Sequence, residues 1–361
     1  MGQSIGIIAN PASGKDIRRL VSYATVIDNQ EKVNMLKRIV LAAQSFGIDQ
    51  IYFMPDSFQM GVRVIQDLNA DHSLKARCEI LELPCKDCTG DTTMAAKKME
   101  ELDVGCIIVL GGDGTSRAAA KGVKNTPILP ISTGTNNVYP VMAEGTVVGM
   151  AAAFAAKGFA EGSALEEICI RDKRLELYLN GDFVDIALVD AVIVEGQWIG
   201  ARAIWETERI RDILVTRCHP ASIGFSAIAG SLTVVTPEED FGYTVKADFS
   251  KERKTGGSRN GTTSAEVLAP VAAGLLQPFQ IGNHGKLQIN RDYQYKMKEN
   301  CMVALDGERE LRLREGDLLT FRITREGPLR VDIKKTLEKA CYAGGFRLSQ
   351  ERQQGWNKEE S

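Results

Sequence analysis

Residues 104–110 are apolar without alternation and run straight into Gly111-Gly112-Asp113-Gly114-Thr115. A strand with no polar face must be covered on both faces, the situation of a central strand in a parallel sheet flanked by helices. The segments around it keep the same rhythm. Residues 3–9 and 127–131 read as further buried strands, and 50–55 and 78–83 as short ones. Residues 31–46, 58–69, 92–101 and 146–158 read as helices, and 116–121 starts another. Val33, Leu36, Ile39, Val40 and Ala43 share one face of the first of these helices. Asp91 stands as the N-cap of the helix from 92. This strand–helix alternation predicts an α/β domain with a parallel sheet over residues 1–160.

The pattern changes near residue 165. Short alternating or β-branched runs follow at 176–180, 183–195, 213–216, 231–236, 243–249, 286–289, 302–305, 310–313, 318–323 and 330–333. Turns such as Asn180-Gly181-Asp182 and Asp306-Gly307-Glu308 separate several of them. They predict a predominantly antiparallel, sandwich-like β domain over 165–333. The tail 334–361 is expected to return to the first domain through helical residues 334–346, with polar residues 347–361 fraying. A chain of 361 residues with 44% apolar content can bury a large core without disulfides or metal.

The formal net charge of -3 argues against a general nucleic-acid binder and leaves room for a small phosphorylated ligand. The apolar runs at 104–110 and 150–156 are too short to span a bilayer, and the first residues lack a signal-peptide pattern. The expectation is a cytoplasmic chain with no stable membrane association. The 8 cysteines do not suggest a disulfide scaffold in a chain this long. Cys85-Lys86-Asp87-Cys88 has the spacing of half a zinc site; ordinary thiols, a redox pair and part of a metal site all stay open. The histidines at 72, 219 and 284 have no ligand pattern around them. The basic, polar stretch 251–263 reads either as a solvated loop or as a flap that closes on a phosphorylated substrate.

Three turns at strand ends carry the chemistry. In Gly111–Thr115 the glycines Gly111, Gly112 and Gly114 permit a tight turn with close ligand approach, and amides at the following helix start can receive phosphate oxygens. Asp113 in that turn would repel phosphate unless it held Mg²⁺ or took a proton from a nucleophilic hydroxyl, which points to phosphoryl transfer. A plain strand–helix turn with a capping aspartate is the alternative. Asn10-Pro11-Ala12-Ser13-Gly14-Lys15 offers donors and a cation for a second phosphate contact, or is a turn with a surface lysine. Ser132-Thr133-Gly134-Thr135-Asn136-Asn137 places hydroxyls and amides at the carboxyl end of a strand, where open α/β sheets bind ligands, or is a polar loop with helix caps.

These turns resemble the ATP-NAD kinase superfamily, most closely its acetoin-catabolism protein X branch, with diacylglycerol and sphingoid-base kinases similar at greater distance. The resemblance covers residues 4–335. Gly111–Thr115 matches the GGDGT signature, Asn10–Lys15 resembles an N-P-x-S-G element, and 129–137 is similar to the glycine- and asparagine-containing loop that follows. Residues 266–272 look like the family's apolar crossing segment and 305–308 like its late D-G turn. The resemblance implies an N-terminal α/β domain, a C-terminal all-β domain, and nucleotide binding between them. It implies ATP with Mg²⁺ as phosphoryl donor, held by Asn10, Ser13, Gly14, Lys15, Gly111, Gly112, Gly114, Thr115, Thr133, Gly134, Thr135, Asn136 and Asn137. It implies homodimers or higher homo-oligomers, and Asp113 as the residue that orients or deprotonates the acceptor hydroxyl. NAD kinases carry an Asn-Glu pair early in the β domain; the matching stretch 188–193 has Asp190 and Ala191 there. Asp190 is the candidate acceptor-binding residue, for a ribose or polyol hydroxyl, or else a buried structural aspartate. The acceptor is NAD or a related hydroxylated metabolite; a lipid or polyol kinase and a non-catalytic nucleotide-binding regulator are the alternatives.

Overall fold

The computed structural model describes residues 3–13, 27–160, 165–196, 209–248, 265–307 and 309–347. Gly14, Lys15 and the stretch 251–263 lie outside the described residues. In chain order the first half forms β1 (Gln3–Ala9), α1 (Asn29–Ser45), β2 (Ile48–Phe53), α2 (Met60–Ala70), β3 (Arg77–Ile80), α3 (Thr89–Glu101), β4 (Cys106–Gly111), α4 (Asp113–Ala120), β5 (Ile128–Ser132), α5 (Gly145–Ala160), α6 (Leu165–Ile168) and β6 (Cys169–Arg171). The second half forms β7 (Arg174–Leu179), β8 (Asp182–Ala187), β9 (Asp190–Glu195), β10 (Ile210–Val215), α7 (Phe225–Gly230), β11 (Phe241–Ala247), β12 (Ala265–Ala272), β13 (Leu275–Gln288) and β14 (Asp292–Lys296). It ends with β15 (Cys301–Leu305), β16 (Arg309–Leu313), β17 (Leu318–Thr324), β18 (Leu329–Val331) and α8 (Ile333–Tyr342).

The first sheet has the order β3-β2-β1-β4-β5-β18-β6 and is parallel except for the β18–β6 pair. Its strands lack alternation because both faces are covered. Ile5 and Ile7 pack with Val33, Leu36 and Ile39 of α1 and the alanines of α5, whereas Ile8 and Val109 pack with Ala95, Ala96 and Met99 of α3 and Ala119 of α4. The alanine-rich composition of α5 follows from its closeness to α1. A Cβ at Gly149 would lie 2.4 Å from the Ile39 carbonyl oxygen, so only small side chains let the two backbones meet.

The second half is a sandwich. A sheet of order β12-β13-β11-β10-β9-β15-β16 faces a smaller one of order β14-β17-β7-β8. Their shared core holds Leu175, Leu177, Ala191, Ile193, Leu214, Leu305 and Phe321. The other face of the larger sheet is closed by α7 through Phe225 and Ile228. The chain is thus an α/β parallel-sheet half followed by an antiparallel β half.

Several local readings change. The run 330–333, read as part of the β domain, contributes β18 to the first sheet, with Arg330 beside Ile128 of β5; β6 joins the same sheet. A short Leu/Val run looks the same whichever sheet receives it. Residues 231–236 form no named strand. The Ser231 amide and hydroxyl donate to the Ala227 carbonyl at 2.8 and 2.9 Å, closing α7, and only Val235 makes a bridge, to Cys218. The run 183–195 splits into β8 and β9. Asp91 lies inside α3, three residues past its N-cap Cys88. The Asp91 carboxylate accepts from the amides of Lys86 at 2.8 Å and Cys88 at 3.3 Å, so the Cys85–Cys88 spacing belongs to a helix-entry turn. Among the described residues no group of three or more His, Cys, Asp or Glu side chains is arranged to hold a metal. No described helix is long and apolar enough to cross a membrane.

One carboxylate sits at odds with the sandwich. Asp212 opposes Lys246 across β10–β11, with the ammonium 3.7 Å away, and its buried Oδ1 has no hydrogen-bond partner among the described residues. Burial pushes the Asp212 carboxyl above its ordinary value, Lys246 opposing. A raised folded pKa means that the native state holds the proton more tightly than the unfolded chain. The Asp212 contribution to stability is therefore greatest in acid and falls as pH rises through the folded value. Asp212→Asn removes the charge that burial disfavours together with its Lys246 pair, and should raise stability at pH 7 by at most about 1 kcal/mol. The gain should shrink toward pH 4; denaturation midpoints at both pH values check it.

Candidate functional site

β1, β4 and β5 are neighbours in the first sheet, and the turns that follow them meet. The Asn10 side-chain amide donates to the Thr115 hydroxyl at 3.0 Å, and the Thr133 hydroxyl donates to the Ser13 hydroxyl at 3.0 Å. The Thr133 amide donates to the Gly111 carbonyl at 3.3 Å. Within the third turn, the Asn137 side chain donates to the Ser132 hydroxyl at 2.7 Å, and that hydroxyl donates to the Gly134 carbonyl at 2.6 Å. The buried Oδ1 of Asn136 has no hydrogen-bond partner among the described residues.

Gly111 owes its lack of a side chain to the turn itself. A Cβ there would lie 2.6 Å from both Cβ and Oγ1 of Thr115. Gly111 thus has a packing role: it admits Thr115, which Asn10 then holds.

Asp113 opens α4, half-buried. Its Oδ1 accepts from the backbone amides of Val138 at 3.0 Å and Tyr139 at 2.8 Å, and its Oδ2 lies 3.2 Å from the Val138 amide. The carboxylate thus binds the loop after β5 to the turn after β4. Most of this grip falls on one oxygen.

Sequence reasoning passed over Lys32, which lies fully buried on α1. Its ammonium donates to the carbonyls of Asn10 at 3.0 Å and Ser13 at 2.7 Å and to Asn29 Oδ1 at 3.0 Å. These bonds fix the described part of the first turn from beneath. The signal was present: Lys32 falls on the stripe that continues through Leu36 and Ile39, where a lysine needs polar acceptors to be buried.

Asp190 begins β9 and is buried. Its amide donates to Asp306 Oδ1 at 3.1 Å, and its carbonyl accepts from the Asp306 amide at 3.0 Å. Asp306 also takes the amides of Leu188 and Val189. Asp306 and Gly307 have φ of +49° and +69°, forming the tight turn between β15 and β16. Burial pushes the Asp306 carboxyl up, with Arg117 and the three amides opposing. Arg117, one turn along α4 from Asp113, donates to the Leu305 carbonyl at 2.7 Å. The late D-G turn is therefore a clamp that seats the start of β9 against α4. Lys121, just past α4, adds a 2.9 Å ion pair with Asp185 of β8. Ala191 points the other way, into the sandwich core between Leu214 and Leu305, where a glutamate would bury its charge among apolar side chains. Residues 266–272 lie in edge strand β12.

A parallel sheet covered by helices on both faces, with linked strand-end turns and followed by a β sandwich clamped to α4, defines an NAD-kinase-like protein. Residues 5–159 match the ATP-NAD kinase N-terminal domain, and residues 173–326 match the acetoin catabolism protein X C-terminal domain. The chain is 34% identical over 345 residues to acetoin catabolism protein X of Cupriavidus necator, covering 93% of this chain and 92% of that protein. It belongs to the acetoin catabolism protein X family. Among solved structures, it matches yeast NADH kinase complexed with NADH with a TM-score of 0.46 and 13% identity, over 96% of this chain and 89% of that one.

Proposed function

We propose that the chain is an ATP-dependent kinase that transfers a phosphoryl group to a hydroxyl of NAD or a related small metabolite. The observation that carries this reading is the direct joining of the three strand-end turns through Asn10–Thr115, Ser13–Thr133 and Asp113–Val138/Tyr139. Together they make one polar surface at the carboxyl ends of adjacent parallel strands, the place where open α/β sheets take ligands.

The donor set fits a nucleotide. Amides at the start of α4 can receive phosphate oxygens, and the orphaned Asn136 Oδ1 fits a ligand hydroxyl. Magnesium ATP, when bound, supplies the phosphoryl group; the phosphates themselves are the expected main ligands of the ion. Asn10, Ser13, Gly14, Lys15, Thr115 and Thr133 would hold the nucleotide. Asp113 would align the acceptor hydroxyl and take its proton as the new oxygen–phosphorus bond forms and ADP leaves.

Asp190 is our candidate for acceptor recognition. Ala191, turned into the sandwich core, offers no second polar group beside it. Asp190→Ala should raise the acceptor KM or lower turnover; unchanged kinetics would leave Asp190 a structural residue. A cytoplasmic homo-oligomer is part of the same proposal.

The decisive experiment measures ADP formation from MgATP across NAD, NADH and a panel of small hydroxylated metabolites. Acceptor-dependent turnover supports the kinase. MgATP binding without turnover on any acceptor favours the non-catalytic regulator, and absence of MgATP binding sinks both.

A further inference from the structure

We infer that Tyr139 is a positioning residue whose hydroxyl, held by the buried carboxylate of Asp172, fixes the two backbone amides that grip Asp113. The inference deepens the kinase reading, on which only its catalytic consequence rests.

Tyr139 is buried, and its two ends do different work. Its amide donates to Asp113 Oδ1 at 2.8 Å, while its hydroxyl donates to Asp172 Oδ2 at 2.7 Å. The rigid ring makes one lever of these contacts. The segment between β5 and Tyr139 has no regular structure, so its position depends on such anchors.

Asp172 is a fixed point. It has no solvent exposure and lies where the chain crosses from β6 of the first sheet to β7 of the sandwich. Its amide donates to the Pro328 carbonyl at 3.1 Å, and its carbonyl accepts from the Gly327 amide at 3.1 Å. A Cβ at Gly327 would lie 2.4 Å from that carbonyl oxygen, so a glycine is needed for this clamp. Arg330 of β18 donates from Nε to Asp172 Oδ2 at 2.7 Å, and Arg217, just past β10, brings Nη2 to 2.8 Å from Oδ1. The Arg217 guanidinium also lies over the Tyr139 ring, 4.8 Å from its centre.

One carboxylate therefore gathers the sheet return (Arg330), the sandwich (Arg217) and the loop that holds Asp113 (Tyr139). Any change in how the sandwich sits on the first sheet reaches Arg217 and Asp172, and through the ring reaches the amides at Asp113. Burial and the charge of Asp172 push the Tyr139 phenol well up, so the hydroxyl keeps its proton and stays a donor. A purely packing role needs the ring alone; a positioning role needs the hydroxyl.

Tyr139→Phe keeps the ring and removes only that donor. Hydrogen exchange on the full chain should show the Val138 and Tyr139-position amides exchanging about 10- to 100-fold faster, the factor expected from losing a hydrogen bond to a charged group. Amides of β1 and β4 should exchange at wild-type rates. With an acceptor that supports wild-type turnover, kcat should fall about 10-fold while the KM for MgATP stays within about twofold. Unchanged exchange at 138–139, or acceleration spread evenly over the first sheet, overturns the inference. Local acceleration with unchanged kcat leaves the positioning standing and sinks the catalytic role of Asp113 instead. Arg217→Gln loosens the same carboxylate from the sandwich side, should give the same local signature, and replaces Tyr139→Phe if that variant does not fold.

Discussion

Asp172→Asn should destabilise the protein by about 3–5 kcal/mol, the usual result of removing one partner from a buried ionic cluster. The asparagine has nearly the same shape, so the loss is of charge rather than packing. Arg217 and Arg330, with side chains only 8% and 12% exposed, would remain buried without the carboxylate that compensates both. Burial alone would raise the Asp172 carboxyl, but the charges of Arg217 and Arg330 and the hydrogen bonds from Arg330 and Tyr139 outweigh it and hold the carboxyl below its ordinary value. The sign follows from linkage. A depressed folded pKa gives stability that is present above the unfolded value, about 3.9 for aspartate, and lost as pH falls through the folded value. Wild type and variant should therefore differ fully at pH 7 and approach each other only in acid below the ordinary carboxylate range. Chemical denaturation across that range reads both. A difference under about 1 kcal/mol at pH 7, the level of an exposed ion pair, would show that the two guanidinium groups find other partners and that Asp172 is not their anchor.

The fold was legible where local pattern and environment agree. The unalternating runs at 3–9, 104–110 and 127–131 became β1, β4 and β5 because both faces of that sheet are covered, and the loss of helical periodicity after residue 165 marked the sandwich. Pairing was less legible. Nothing in Leu329–Val331 states that it returns beside β5, because a strand's partner lies in the third dimension. The candidate site divides in the same way. Its turns are contiguous motifs, readable from glycines, hydroxyls and one aspartate. Their supports are single residues far apart in sequence: Lys32 beneath the first turn, Tyr139 and Asp172 behind the third, and Asp306 with Arg117 beneath β9. Each is a buried charged or polar side chain satisfied by a distant segment; Lys32 on an apolar helical stripe and Asp306 in a D-G turn stand out in the sequence, but neither states its partner.

Asp113→Asn should lower kcat by at least about 100-fold, the low end of general-base contributions, while folding and nucleotide binding survive. The geometry explains why both halves of that expectation belong together. Oδ1 accepts both short amide bonds, from Val138 and Tyr139, and an asparagine can place its carbonyl oxygen there. Its NH₂ then takes the Oδ2 position, 3.2 Å from the Val138 amide, a modest repulsion that the half-buried site can relieve by a small tilt. The loop anchor is therefore kept, and what disappears is the negative charge and the ability to take a proton. A carboxylate is a weak base at neutral pH, so its contribution must come from aligning the acceptor hydroxyl and from the rising acidity of that hydroxyl during transfer. Asp113→Ala separates the two roles: it removes charge and anchor together, and should add faster exchange at the 138–139 amides to the same loss of turnover. The measurement requires an acceptor that supports wild-type turnover and saturating MgATP, with folding followed by circular dichroism. Near-normal kcat in folded Asp113→Asn would reduce Asp113 to a strut between the turn after β4 and the loop after β5, and the chemistry would have to come from another group on that surface.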